Sequence, residues 1–358
     1  MSEKRNKYKI LYLSFNKDKS CLSLGMQKGY RIYDLTKKDN LYYYERIFGK
    51  GIGIIEMLEK TNILGLVGGG NEPYESPNKV FIYDDKEGKV IANFSFRNNV
   101  LNIRLKKDRM LVICENFIYL ITFSNFKSID SIDLGVEKKA KIGFAFTLES
   151  QINKLAYNIN NNVDNKIIIN TYDNENGKSS IELKTNYQKN NLIEFMEFNK
   201  SGQLLVVTSK NSQYLELYNT ENGNIICKCN IEKDGLNVKY ISFSKENDFI
   251  CCCLNFGEFA IFNLKSVINI DIPVEEELQN LNINNKKKVD KLKIWSRFYL
   301  PEKKAICTFS NFMEDEVEKE HITCIGTKGN YYLVKFDKDK NDSLAEKVCE
   351  KYFLKSDS

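Results

Sequence analysis

The sequence predicts an all-β protein: one domain spanning residues 1–358, folded as a seven-bladed β-propeller of four-stranded antiparallel blades, its ring closed by the C-terminal strand. Three observations lead there. Aromatic residues make up 12% of the chain, with 20 Tyr and 22 Phe, and such a composition favours strands over helices. A pattern of strand, polar turn, apolar strand, turn and alternating strand recurs with a period of about 45 residues, the spacing of propeller blades. A last strand-like segment, 347–354, stands apart from any hairpin and is available to close a ring.

The repeat is clearest in three places. Ser14-Phe15-Asn16-Lys17, Glu197-Phe198-Asn199-Lys200 and Ser242-Phe243-Ser244-Lys245 each precede an apolar strand and then an alternating one. A sheet of four short strands cannot bury both faces alone, so stacking around an axis is the physical solution. Blades are expected near 8–48, 51–96, 99–137, 141–186, 192–230, 236–294 and 295–336. The strand 347–354 is expected to complete the first blade, removing the exposed edges that invite aggregation. Within the fourth blade the Asn-rich stretch 158–170 reads partly as a surface loop. Gly68-Gly69-Gly70 and Gly49-Lys50-Gly51-Ile52-Gly53 read as turns and not as phosphate cradles, because no helix or Lys-Ser/Thr signature follows them.

Bulk properties narrow the function. No run approaches the ~18 apolar residues of a membrane span, and the charged start MSEKRNKYKI lacks a signal-peptide core, so a cytoplasmic protein is expected. The net charge of +5, from 53 basic and 48 acidic residues, is too evenly interspersed to argue for nucleic acid. Ten Cys and a single His, His321, do not make a zinc site: neighbours such as Cys251-Cys252-Cys253 point to alternate faces of a strand. They read as reduced core thiols, with no metal and no cofactor. No Ser/His or Cys/His pairing and no phosphate loop is visible, so no catalytic residues are assigned and the protein is not expected to be an enzyme.

Blades two and three carry a resemblance. Leu66-Val67-Gly68-Gly69-Gly70 followed by Pro77-Asn78-Lys79-Val80-Phe81-Ile82-Tyr83-Asp84-Asp85 and Gly88 is similar to the strand, glycine loop and PNKV…DD segment of the PROPPIN family. Phe96-Arg97, Arg104-Leu105, the opening segment Ser14 to Tyr33, Trp295-Ser296-Arg297-Phe298 and Gly329 to Phe336 extend it over nearly the whole chain. The resemblance implies a peripheral membrane adaptor of autophagy and trafficking, reading phosphatidylinositol 3-phosphate or the 3,5-bisphosphate at autophagosomal, endosomal or vacuolar membranes. It also implies autophagy or trafficking proteins as partners and a monomer.

The family's lipid site is a Phe-Arg-Arg-Gly motif at the end of blade five, whose two Arg point to opposite sides of the strand and fork onto phosphate oxygens. In this chain the motif falls on Cys229-Asn230-Ile231-Glu232, and neither Arg is present. Where the family has further Thr, Arg, Ser and His, this chain has Gln213, Glu216, Leu254, Glu258 and Ala260; Ser209 is the one match that survives. Losing two charge-assisted contacts at ~1.5–3 kcal/mol each weakens binding about a hundredfold to ten-thousandfold. A shifted register would put Lys228 or Lys233 in their place. The expectation is a degenerate lipid pocket; the alternative is a protein-interaction scaffold that has lost phosphoinositide readout.

A second membrane element is implied in the long blade-six loop at about 271–294. Val274, Leu278, Leu281, Val289 and Leu292 fall at helical spacing after Pro273, with Lys286, Lys287 and Lys288 between them. The family inserts the equivalent loop into lipid. The Asn-rich run 280–285 favours a solvated insertion instead.

Overall fold

Strand patterning of period two, with apolar residues on both faces, makes each sheet a slab that must be covered on both sides. In the computed structural model this produces seven sheets around one axis, each built outward from the centre in chain order. The structure describes residues 9–354 apart from 37–40, 42, 136–142, 162–163, 174–176, 188–191, 211, 232–236, 269–289, 303, 315–316 and 341–342. Blade one runs Ile10–Phe15, Cys21–Met26, Gly29–Asp34 and Tyr43–Ile47 from axis to rim. Blade two opens with Ile52–Met57, blade three with Val100–Leu105, blade four with Phe144–Phe146, blade five with Ile193–Phe198, blade six with Val238–Phe243 and blade seven with Ala305–Glu314. The core lies between the blades: each apolar cluster joins facing sheets of two neighbours.

The sequence repeat has a physical cause. After the Phe of each motif, a short polar side chain turns back and accepts the backbone N–H that opens the next strand. Asn16 accepts from Cys21 at 2.8 Å, Asn199 from Leu204 at 2.9 Å and Ser244 from Phe249 at 3.0 Å. The side chain thus closes the hairpin that the backbone begins. Five innermost strands also carry the same bulge, which skips Leu11, Gly53, Leu101, Glu194 or Lys239 and re-aims the residues that follow toward the channel. The glycine runs are packing devices. A Cβ on Gly69 would lie 2.5 Å from the Gly53 Cα, and one on Gly68 1.8 Å from the Glu75 carbonyl oxygen.

Three assignments are corrected. The C-terminal strand, Glu346–Tyr352, pairs with Asn330–Lys335 and so becomes the outer strand of blade seven, not of blade one, which has four strands of its own. Register decides this: Cys349 opposite Leu333 extends an existing hairpin face, whereas blade one already ends in Tyr43–Ile47. The ring is still sealed by the residues just beyond that strand. Phe353 and Leu354 are buried against Tyr33, Leu22 and Leu24 of blade one, and the Tyr33 hydroxyl donates to the Phe353 carbonyl at 2.8 Å. Second, the segment around Trp295 belongs to blade six. Ser296–Tyr299 pairs with Glu258–Asn263 as its outermost antiparallel strand. Third, the Asn-rich stretch of blade four is a regular hairpin, Asn153–Asn161 with Asp164–Asp173. Its polar residues alternate with Leu155, Tyr157, Ile167 and Ile169, which are buried.

Blades five and six each gain a fifth strand in parallel: Asp290–Leu292 along Ile225–Asn230, and Ser343–Leu344 along Ser296–Tyr299. Among the described residues the only α-helix is one turn, Lys265–Ile268. Val274, Leu278, Leu281, Lys286, Lys287 and Lys288 lie outside the described residues, as does Glu232. The Cys residues alternate as strand geometry requires. Cys252 joins Cys227 and Cys229 between blades five and six, while Cys251 and Cys253 join Cys307 and Cys324 between blades six and seven. Burial pushes the thiols of Cys252, Cys253, Cys307 and Cys324 up, and that of Cys251 to about 11, and none of the cysteines is in a disulfide.

Candidate functional site at the outer edge of blade five

The residues singled out from sequence converge on one place, the outer strand of blade five, Ile225–Asn230, and its antiparallel neighbour Tyr214–Asn219. Because successive residues point to opposite sheet faces, the strand splits its motif positions between two environments. Cys227, Cys229 and Ile231 point toward blade six. All three are fully buried, in one apolar cluster with Leu254, Ala260, Val238 and Ile294. The backbone N–H of Ile231 donates to the Gln213 carbonyl at 2.7 Å, which holds this residue on the sheet. On that side of the strand, every position singled out is now part of a dry core.

The other face is polar and already engaged. Lys228 stands directly opposite Glu216, with its ammonium 3.2 Å from the carboxylate and 4.3 Å from the centre of the Tyr214 ring. Glu216 is fully buried and accepts three further hydrogen bonds, from the Asn186 side chain at 3.0 Å, the Asn186 backbone at 3.3 Å and the Tyr218 hydroxyl at 2.5 Å. Burial beside that carboxylate pushes the Tyr218 phenol up, so it stays protonated and donates. A buried carboxylate is tolerated only when its lone pairs are met, and here a cation and three donors meet them.

The remaining sequence-derived positions follow the same rule. Glu258 is buried and accepts from the Arg297 guanidinium at 2.9 Å, so it is a structural ion pair within blade six. Ser209 is buried with no partner for its hydroxyl among the described residues. Gln213 and Asn230 sit toward the solvent end of the strands. Asp290–Leu292 covers the outer edge itself, matching Lys228 with Lys291 and Cys229 with Leu292 in a parallel ladder. The sequence reading missed Arg297 and Asn186 as carboxylate partners. Nothing local marks either one: Arg297 lies across the long blade-six connection from Glu258, and Asn186 arrives from the connection after blade four.

No group of three or more metal-ligating side chains occurs among the described residues. No helix among them is long and apolar enough to cross a membrane. A ring of seven antiparallel blades of this kind is the β-propeller architecture. The chain belongs to the PROPPIN family, whose profile matches residues 10–282.

Two curated relatives place it further. It is 27% identical over 293 residues to SVP1-like protein 2 of Saccharomyces cerevisiae, covering 75% of this chain and 65% of that one. It is 23% identical over 341 residues to Autophagy-related protein 18 of Kluyveromyces lactis, covering 75% and 66%. The matches thus span just under two thirds of those relatives' own lengths. Among solved structures, the complex of KlAtg21 with the coiled-coil of AgAtg16 aligns with a TM-score of 0.74 at 16% identity, covering 96% of this chain and 99% of that one, a likeness of fold.

Proposed function

We propose that the protein is an autophagy-related adaptor propeller that works by binding partner proteins at membranes, and that its direct phosphoinositide readout through the blade-five motif is weak or absent. The observation that carries this is the state of the strand that bears the motif. Ile231 is fully buried in an apolar cluster, and the one cation on the strand, Lys228, is spent on Glu216. A 3-phosphate carries close to two negative charges and needs fixed cations with free donors. The resemblance sets Glu216 and Glu258 where the family presents donors to the phosphate, and both carboxylates are buried here.

The adaptor reading rests on family membership and on relatives named for autophagy, with a related propeller solved on a coiled coil. It is a binding role, cytoplasmic and peripheral, with no catalytic step. Membrane association then depends on a protein partner or on the loop that carries Lys286, Lys287 and Lys288. Capture of autophagy proteins from a lysate by the full chain, set beside flotation on vesicles, separates the parts. Partner capture without headgroup-selective flotation is expected. Selective flotation with no protein partner contradicts the adaptor reading.

A further inference from the structure

We propose that the mouth of the central channel, on the face formed by the innermost hairpin turns, is a second binding site that takes a basic side chain of a partner peptide whose flanking residues are acidic. It is a cavity of about 360 Å³. That volume lies at the low end for ligand sites, room for one long side chain and a few backbone atoms.

The floor carries an unmet negative charge. Glu197, one residue before Phe198 on the innermost strand of blade five, is half-buried and has no hydrogen-bond or ion-pair partner among the described residues. Burial pushes its carboxyl up, with the Lys19 and Arg104 charges only partly offsetting that cost. A cation delivered to Glu197 would relieve it. Beside it the hydroxyls of Ser242 and Thr308, 3.4 Å apart, supply neutral acceptors for an ammonium or guanidinium. Phe198 and Phe243 line the walls, suited to the methylene stem of Lys or Arg.

The rim carries Lys17, Lys19, Lys200 and Lys245 against Asp18, Glu149 and Glu320, a small positive excess. The repeated turn that sets Asn16, Asn199 and Ser244 also sets a lysine just beyond each, from three different blades. Lys17 is neutralised by Glu59 at 2.9 Å, and Lys200 is 3.7 Å from Glu149. Lys19 and Lys245 have no ion pair among the described residues. A positive rim above a negative floor selects a basic anchor between acidic neighbours, and it repels both a bare phosphate, through Glu197, and a uniformly basic segment, through the rim. The site lies at the channel mouth, on innermost strands and turns, whereas the lipid motif lies on the outer strand of blade five, so it does not depend on the lipid reading, and either can fail alone.

The test uses the full chain and fluorescein-labelled pentapeptides read by anisotropy. One peptide has a central Arg between two acidic pairs, a second has citrulline in place of that Arg, and a third has Lys flanks. Saturable binding of the first is expected, weakened about 10- to 150-fold by citrulline or by Glu197→Gln, the range of one charge-assisted hydrogen bond. Lys245→Glu, on an exposed turn where folding is not at stake, should weaken the acidic-flanked peptide and strengthen the Lys-flanked one. No saturable binding, or binding indifferent to both Glu197→Gln and Lys245→Glu, overturns the proposal.

Discussion

The two faces of one strand in blade five have been built by opposite means. Toward blade six, Cys227, Cys229 and Ile231 are absorbed into an apolar cluster. Toward blade four, Lys228 and Glu216 form a buried ion pair completed by Asn186 and Tyr218. Both environments occupy ground where a phosphoinositide reader of this fold needs free cations. Under the proposed reading they have the same consequence for phosphate binding, at different energetic cost. An apolar face is stabilising by default, whereas an ion pair without water is held only while every member is present. Where a pocket is not used for a ligand, the fold can fill it with carbon or close it with an internal counter-charge.

That contrast can be broken most sharply at the motif itself. Ile231→Arg places a guanidinium among Leu254, Ala260 and Ile294 with no partner and should destabilise by about 3–5 kcal/mol in urea unfolding. Asn230→Arg, one residue away on the polar face, should cost less than about 1 kcal/mol. Equal costs would mean that the two faces are not distinct. Next in size, Lys228→Met keeps the packing but strands the Glu216 carboxylate, for an expected loss of about 2–3 kcal/mol. The double variant Lys228→Met/Glu216→Gln should recover at least half of that, and failure to recover would mean that the lysine acts through packing alone.

The smallest effect concerns reactivity. A hydrogen bond with Cys227, together with burial, holds the Cys229 thiol well above its ordinary range, and burial does the same for Cys252, so both should resist labelling at pH 8 in the folded protein. The half-buried Cys349 on the outer strand of blade seven should label first. Rapid modification of Cys229 would show that the blade-six side of the strand is open to water.

The sequence made the propeller legible because its signal is repeated. The Phe-Asn-Lys and Phe-Ser-Lys turns recur with the same side-chain lock, and one good hairpin predicts the next. What it left open depends on contacts between distant segments. Nothing local in Glu346–Tyr352 says whether it joins blade one or blade seven, since both offer an apolar edge, and only the register with Asn330–Lys335 decides. Ser296–Tyr299 was similarly displaced by one blade, because the long connection before it hides which hairpin it completes. At the candidate site, the absence of both Arg was visible from residue identity alone. That Ile231 fills its pocket, and that Lys228 is already paired, needed the third dimension. Alternation along a strand tells which residues share a face, but not what covers that face.

The central claim, that the blade-five edge no longer reads a phosphoinositide, is tested most directly by flotation of the unmodified full chain at physiological salt. Vesicles carrying phosphatidylinositol 3-phosphate are compared with vesicles of equal charge made from phosphatidylserine. Equal, weak and salt-sensitive recovery on both is the predicted result, unchanged by Lys228→Met. Recovery that is at least tenfold greater on the 3-phosphate vesicles, and is lost with Lys228→Met, would contradict the account and restore Lys228 as a phosphate ligand.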